Sequence, residues 1–126
     1  MGMTLWFNNR LDDQRYECDE TDLSEIFNHA DVVDSICSRA GVKLLSTFFD
    51  DIDVRANMTG HVSDWIAADA HWHDPIEGLK TVGALLTNLR DEADGDDALI
   101  DELKFVEWRL LSSVDTKQTF HLLLVM

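Results

Sequence analysis

Two histidines and an acid within four positions, His71-Trp72-His73-Asp74, form the one cluster in this 126-residue chain that invites a metal ion. If residues 71–73 are extended, alternate side chains share a face, so both imidazoles point to one side and can share a Zn²⁺ with a carboxylate from elsewhere. On a helix the two rings would diverge. A zinc site needs three or four ligands, no third one is fixed by spacing, and Asp74 is also wanted as a helix cap. A half-exposed or core-capping pair of histidines satisfies the same pattern. Asp50-Asp51-Ile52-Asp53 places three carboxylates in four positions, which suits a divalent cation or a paired acid and base. It equally suits a helix end running into a solvated loop. His71, His73, Asp50 and Asp51 therefore stand as a metal alternative, and no catalytic or cofactor-binding residue is assigned.

Other patterns carry less chemistry. Counting Gly95 as the sixth position of a calcium loop puts Arg90 at the first, where an acid is required. No Ser/His/Asp or Cys/His set has a local signature. Cys18 and Cys37 lack paired spacing and read as free thiols in a reducing compartment, Cys37 as a small hydrophobe on an apolar helix face. The four tryptophans and six phenylalanines read as core.

The elements that must position these residues follow from capping and periodicity. Asp74 caps a helix over 75–90, Pro75 fits its first position, and Glu77 can reach back to the cap amide. Leu79, Val82, Leu86 and Leu89 draw its apolar stripe. Gly78 and Gly83 inside it each cost about 1 kcal/mol relative to alanine, and close packing is the expected reason. A second helix over 97–114 carries Leu99, Leu103, Val106, Leu110 and Val114, and the short loop between the two predicts an antiparallel hairpin. Asp22 with Glu25 predicts a helix over 22–40, with Leu23, Ile26, Phe27, Ala30, Val33, Cys37 and Ala40 on one face and Gly41 as its stop. Leu44, Leu45, Phe48, Phe49 and Ile52 fit a short helix. A loop over 50–60 and a short helix over 61–70 around Trp65 and Ile66 follow. Residues 4–7 and 15–18 suit an antiparallel strand pair around a polar loop that contains Asn8 and Asn9. The apolar run from Leu122 suits a strand covered on both faces and paired with them. The expected class is α+β, one domain over 1–126, with a helical layer on a small, mostly antiparallel sheet.

Ten basic residues against twenty-five acidic ones give a net charge of −15, spread over both halves of the chain. That field repels phosphate backbones and anionic lipid, so neither nucleic acid nor a membrane is an expected partner, whereas a basic protein is attracted. The first ten residues lack the basic end and long apolar run of a secretory signal, and a cytoplasmic address is expected.

The stretch Trp72-His73-Asp74-Pro75-Ile76-Glu77-Gly78-Leu79-Lys80-Thr81-Val82, followed by Leu85-Leu86, Leu89 and then Phe120-His121-Leu122, resembles a group of small acidic bacterial cytoplasmic proteins of uncharacterised function. The likeness covers roughly the last half of the chain. It implies a compact cytoplasmic domain and carries over no catalytic residue and no cofactor. The expected function is a non-enzymatic interaction module, similar in charge and size to small acidic immunity proteins that neutralise a basic toxin. The alternative is a metal-assisted or acid–base hydrolase using His71, His73 and the Asp50–Asp53 cluster.

Overall fold

The computed structural model describes residues 3–12, 15–51, 70–91 and 97–125. In chain order these form β1 (Thr4–Arg10), β2 (Tyr16–Asp19), α1 (Ser24–Asn28), α2 (Ala30–Ala40), a 3-10 turn (Leu45–Phe48), β3 (Phe49–Asp50), α3 (Pro75–Asp91), α4 (Asp97–Thr116) and β4 (Phe120–Val125). The sheet order is β2-β1-β4-β3; β1 runs antiparallel to both neighbours, and β3 pairs parallel with β4. The α+β class with a mostly antiparallel sheet is as the pattern predicts. The expected helix over 61–70, residue Asp53 and the turn before Asp97 lie outside the described residues.

The α3–α4 hairpin forms as its periodicity requires. Asp74 Oδ1 accepts the Ile76 N–H at 2.9 Å, while Glu77 faces Lys80 at 3.6 Å. Val82, Leu85, Leu86 and Leu89 are buried, with Leu79 packed against them. The first turn of α3 lies against the end of α4, so the helices are antiparallel. Leu5, Phe7, Phe120 and Leu122 meet this layer from the sheet.

Four local expectations are corrected. Asp22 does not cap the first helix: Leu23 holds that position without a side-chain cap, and Asp22 instead accepts from the Thr4 and Ser24 hydroxyls. The free amides of Glu25 and Ile26 are taken by the Glu102 carboxylate of α4, a partner no local pattern reveals. The expected 22–40 helix is two helices divided at His29, and Ala40 is exposed. Phe49 does not continue a helix but pairs with Leu122, because β4 offers it a backbone ladder. Asn8 and Asn9 are not loop but buried strand, their side-chain N–H groups taken by His121 and by Ser113 with the Thr119 carbonyl.

Gly78 and Gly83 separate sharply. A Cβ on Gly78 would stand 2.6 Å from Phe120 Cζ and 3.1 Å from Leu110 Cδ2, whereas one on Gly83 meets nothing within 4 Å. The Phe120 ring has no room to retreat, being stacked on Phe7 at 5.5 Å and set against Phe48 at 5.3 Å. Close packing thus explains Gly78 alone. Gly78→Ala is expected to destabilise the fold by about 1–3 kcal/mol through overpacking, and Gly83→Ala to stabilise it by about 0.5–1 kcal/mol through helix propensity. Urea unfolding of the two variants checks both, and equal effects would contradict the notch at Gly78.

Candidate functional site

Strand alternation sends Trp6, Asn8, His121 and Leu123 to the sheet face away from the helices, where Leu123 packs with Trp6, Tyr16, Ala70, Trp72 and Val125. A polar cluster sits within this face. Asn8 and His121 face each other in the β1–β4 register and both are fully buried. Asn8 Nδ2 lies 3.0 Å from His121 Nε2, and His121 Nδ1 lies 3.3 Å from the His71 carbonyl. An amide N–H must donate to an imidazole nitrogen, so Nε2 accepts and Nδ1 carries the proton. Trp72 stacks on the same imidazole, ring centroids 4.1 Å apart. Asn8 Oδ1 has no hydrogen-bond partner among the described residues.

Residues 70–73 run as a strap beside the sheet. His73 forms an antiparallel bridge with Phe120, its N–H donating to the Phe120 carbonyl at 2.8 Å and its carbonyl accepting the Phe120 N–H at 3.0 Å. The His71 backbone N–H donates to Asp50 Oδ2 at 2.7 Å. The His71 Nδ1 approaches the same oxygen at 3.5 Å. Asp50 is buried and His71 largely exposed, 1% against 81% of their side chains.

Of the four residues singled out for metal, Asp50 and His71 are brought together. The His73 ring packs edge-on to Phe48 at 5.1 Å, and its Nε2 is buried without a partner among the described residues. Asp51 is exposed. Among the described residues, no three His, Cys, Asp or Glu side chains converge as metal ligands. Among the described residues neither Cys18 nor Cys37 is joined in a disulfide; Cys37 is buried, and that burial pushes its thiol up.

His121 and Asn8 escape sequence reasoning because each is a lone polar residue in a strand. The available signal is the break each makes in an otherwise apolar or alternating run. Burial pushes His121 down to about 4, against the pull of Asp50 and the His71 carbonyl. Burial, with the His71 and Lys43 charges, also lowers His73.

A second feature lies on α4. Its inner stripe, Leu99, Leu103, Val106 and Leu110, is shut in the core, yet Trp108 is 61% and Leu111 53% exposed. Trp108 thus departs from the expectation that the tryptophans build core. Arg109 lies 5.9 Å from its ring and 5.5 Å from that of Phe7, and pairs with Asp19 at 3.6 Å.

Because His121 titrates near 6.5 when unfolded and near 4 when folded, the unfolded chain binds the extra proton between those values. Stability is then greatest above pH 6.5 and falls as pH drops towards 4. At about 1.4 kcal/mol per pH unit the loss is roughly 3 kcal/mol. His121→Gln is expected to flatten that decline in urea midpoints measured from pH 7.5 to 4.5; an unchanged slope would show that His121 is not buried neutral. No protein-family model, curated protein or solved structure matches this chain.

Proposed function

We propose that the protein is a non-enzymatic interaction module that binds a basic protein partner through the outer face of α4. The observation that carries this is Trp108 and Leu111 standing exposed one turn apart on a helix whose other face is completely buried. A tryptophan in an apolar contact surrounded by polar residues is the usual centre of a protein–protein hot spot. The segment from Tyr16 to Glu25, with Glu17, Asp19, Glu20, Asp22 and Glu25 and no basic residue, runs beside it. It is tied to α4 through Asp19–Arg109 and through Glu102 on the amides of Glu25 and Ile26. Arg109, the cation adjacent to Trp108 in sequence, is thereby engaged by Asp19, while exposed Lys104 stands one turn earlier on the outer stripe. An acidic rim around an aromatic anchor fits a partner offering lysine or arginine, which can also stack on the indole. A cytoplasmic, immunity-like role against a basic toxin agrees with the charge of −15. No helix among the described residues is long and apolar enough to cross a membrane.

The test is association of the immobilised protein with a basic partner recovered from cell extract. Its on-rate is expected to fall steeply with salt, and Trp108→Ala to weaken binding by about 2 kcal/mol, or roughly thirtyfold. A salt-independent on-rate, or full binding by Trp108→Ala, would contradict the proposal.

Asp50 and His71 support a second reading, an acid–base hydrolase. A buried carboxylate beside Nδ1 leaves Nε2 towards solvent, the arrangement that orients an imidazole as a general base. Ester hydrolysis by the wild type should then exceed that of Asp50→Asn by at least about tenfold. Equal rates would remove the reading.

A further inference from the structure

Along the outer side of α4, Asp101, Lys104, Trp108, Leu111 and Asp115 are all exposed. Their spacings of three and four keep them in one row on the helix, the spacing by which two helices pack along a shared seam. Trp108 and Leu111 form the apolar middle of the row, 61% and 53% exposed. Lys104 lies one turn before Trp108, and Asp115 lies one turn after Leu111. Neither of these two charges makes an ion pair among the described residues.

This row is complementary to itself when a second copy is turned end for end. About a twofold axis crossing α4 between Arg109 and Leu110, Trp108 meets Leu111 of the second copy and Lys104 meets its Asp115. In the same register Glu107 comes opposite Ser112, and Asp101 reaches the end of the other helix, where Lys117 is exposed. No carboxylate is set against another. A parallel pairing would instead place Lys104 on Lys104 and Asp115 on Asp115, so charge selects the antiparallel one.

We propose that the chain forms an antiparallel homodimer through α4, with Trp108 of each copy on Leu111 of the other and a Lys104–Asp115 pair at either end. The contact is isologous, as a twofold dimer requires. It is also small, and the charge of −15 on each copy opposes it, so the dimer is weak and tightens as salt screens that repulsion. The face is the one proposed above for a basic protein, so the two occupants exclude each other. Self-association needs no such partner.

Sedimentation of the purified chain alone tests it. Association is expected to tighten between about 20 and about 150 mM salt, as the screening length falls to about 8 Å. Binding of a basic protein follows the opposite trend, so either reading can fail without the other. Lys104→Asp sets carboxylates against each other at both ends of the contact, and Asp115→Lys sets amines against each other. Each variant alone should dimerise about tenfold more weakly. Mixed in equal amounts, the two restore both pairs and should associate as tightly as the unaltered chain. The mixture carries the same total charge as two unaltered chains, so recovery reports the register and not the net charge. A chain still monomeric at about 1 mM, dimerisation unmoved by either substitution, or no recovery on mixing would overturn the proposal.

Discussion

The ring of Phe120 has to fit beneath α3, and it does so because residue 78 has no side chain. Cζ of that ring stands 2.6 Å from where a Cβ would be. From this contact the core assembles outward: Phe7 stacks on the ring from β1, Phe48 tilts against it from the 3-10 turn, and Leu110 closes in from α4. The same residue's backbone also receives the His73 bridge, so the lead-in to α3 and the start of β4 are held to each other twice. Once Phe120 is seated, β4 lies between β1 and β3, and every other strand takes its register from it directly or through β1.

Seating Phe120 inward forces His121 outward, since neighbouring strand residues face opposite ways. The polar cluster is therefore a geometric consequence of the core. Asn8, directly across the ladder, meets the imidazole, and the His71 carbonyl takes its other nitrogen. These bonds hold a neutral histidine in a place that excludes water, and they dock the strap that carries Asp50's partner. The cluster is thus accounted for by structure, which is why the proposed function rests on α4. There the Trp108 ring touches Phe105 and Arg109 on one side and leaves most of its surface outside.

What could be read from the sequence was what local rules govern. Asp74 and Pro75 start α3, the leucine spacing places its buried face, and Gly41 ends α2 with a φ of 75°. Features set by distant partners were not legible. Glu102 caps a helix far away in the chain, Phe49 becomes strand only because β4 is beside it, and Asn8 looks like loop until His121 is seen opposite. The candidate site divides in the same way. Residue type alone marks Asp50 and His71, whereas His121, which meets the His71 carbonyl, is a lone polar residue in an apolar run. An amphipathic pattern says which face is buried, not how an aromatic on its border, such as Trp108, is turned.

Amide hydrogen exchange along β4 under native conditions, with increasing urea, bears most directly on the claim that this strand holds the fold together. If Phe120 and its neighbours are the central contact, the hydrogen-bonded amides of Phe120 to Leu124 exchange only through global unfolding, with the full urea dependence of the whole molecule. Exchange of these amides through local opening, at a free energy well below that of α3 and α4, would contradict the account.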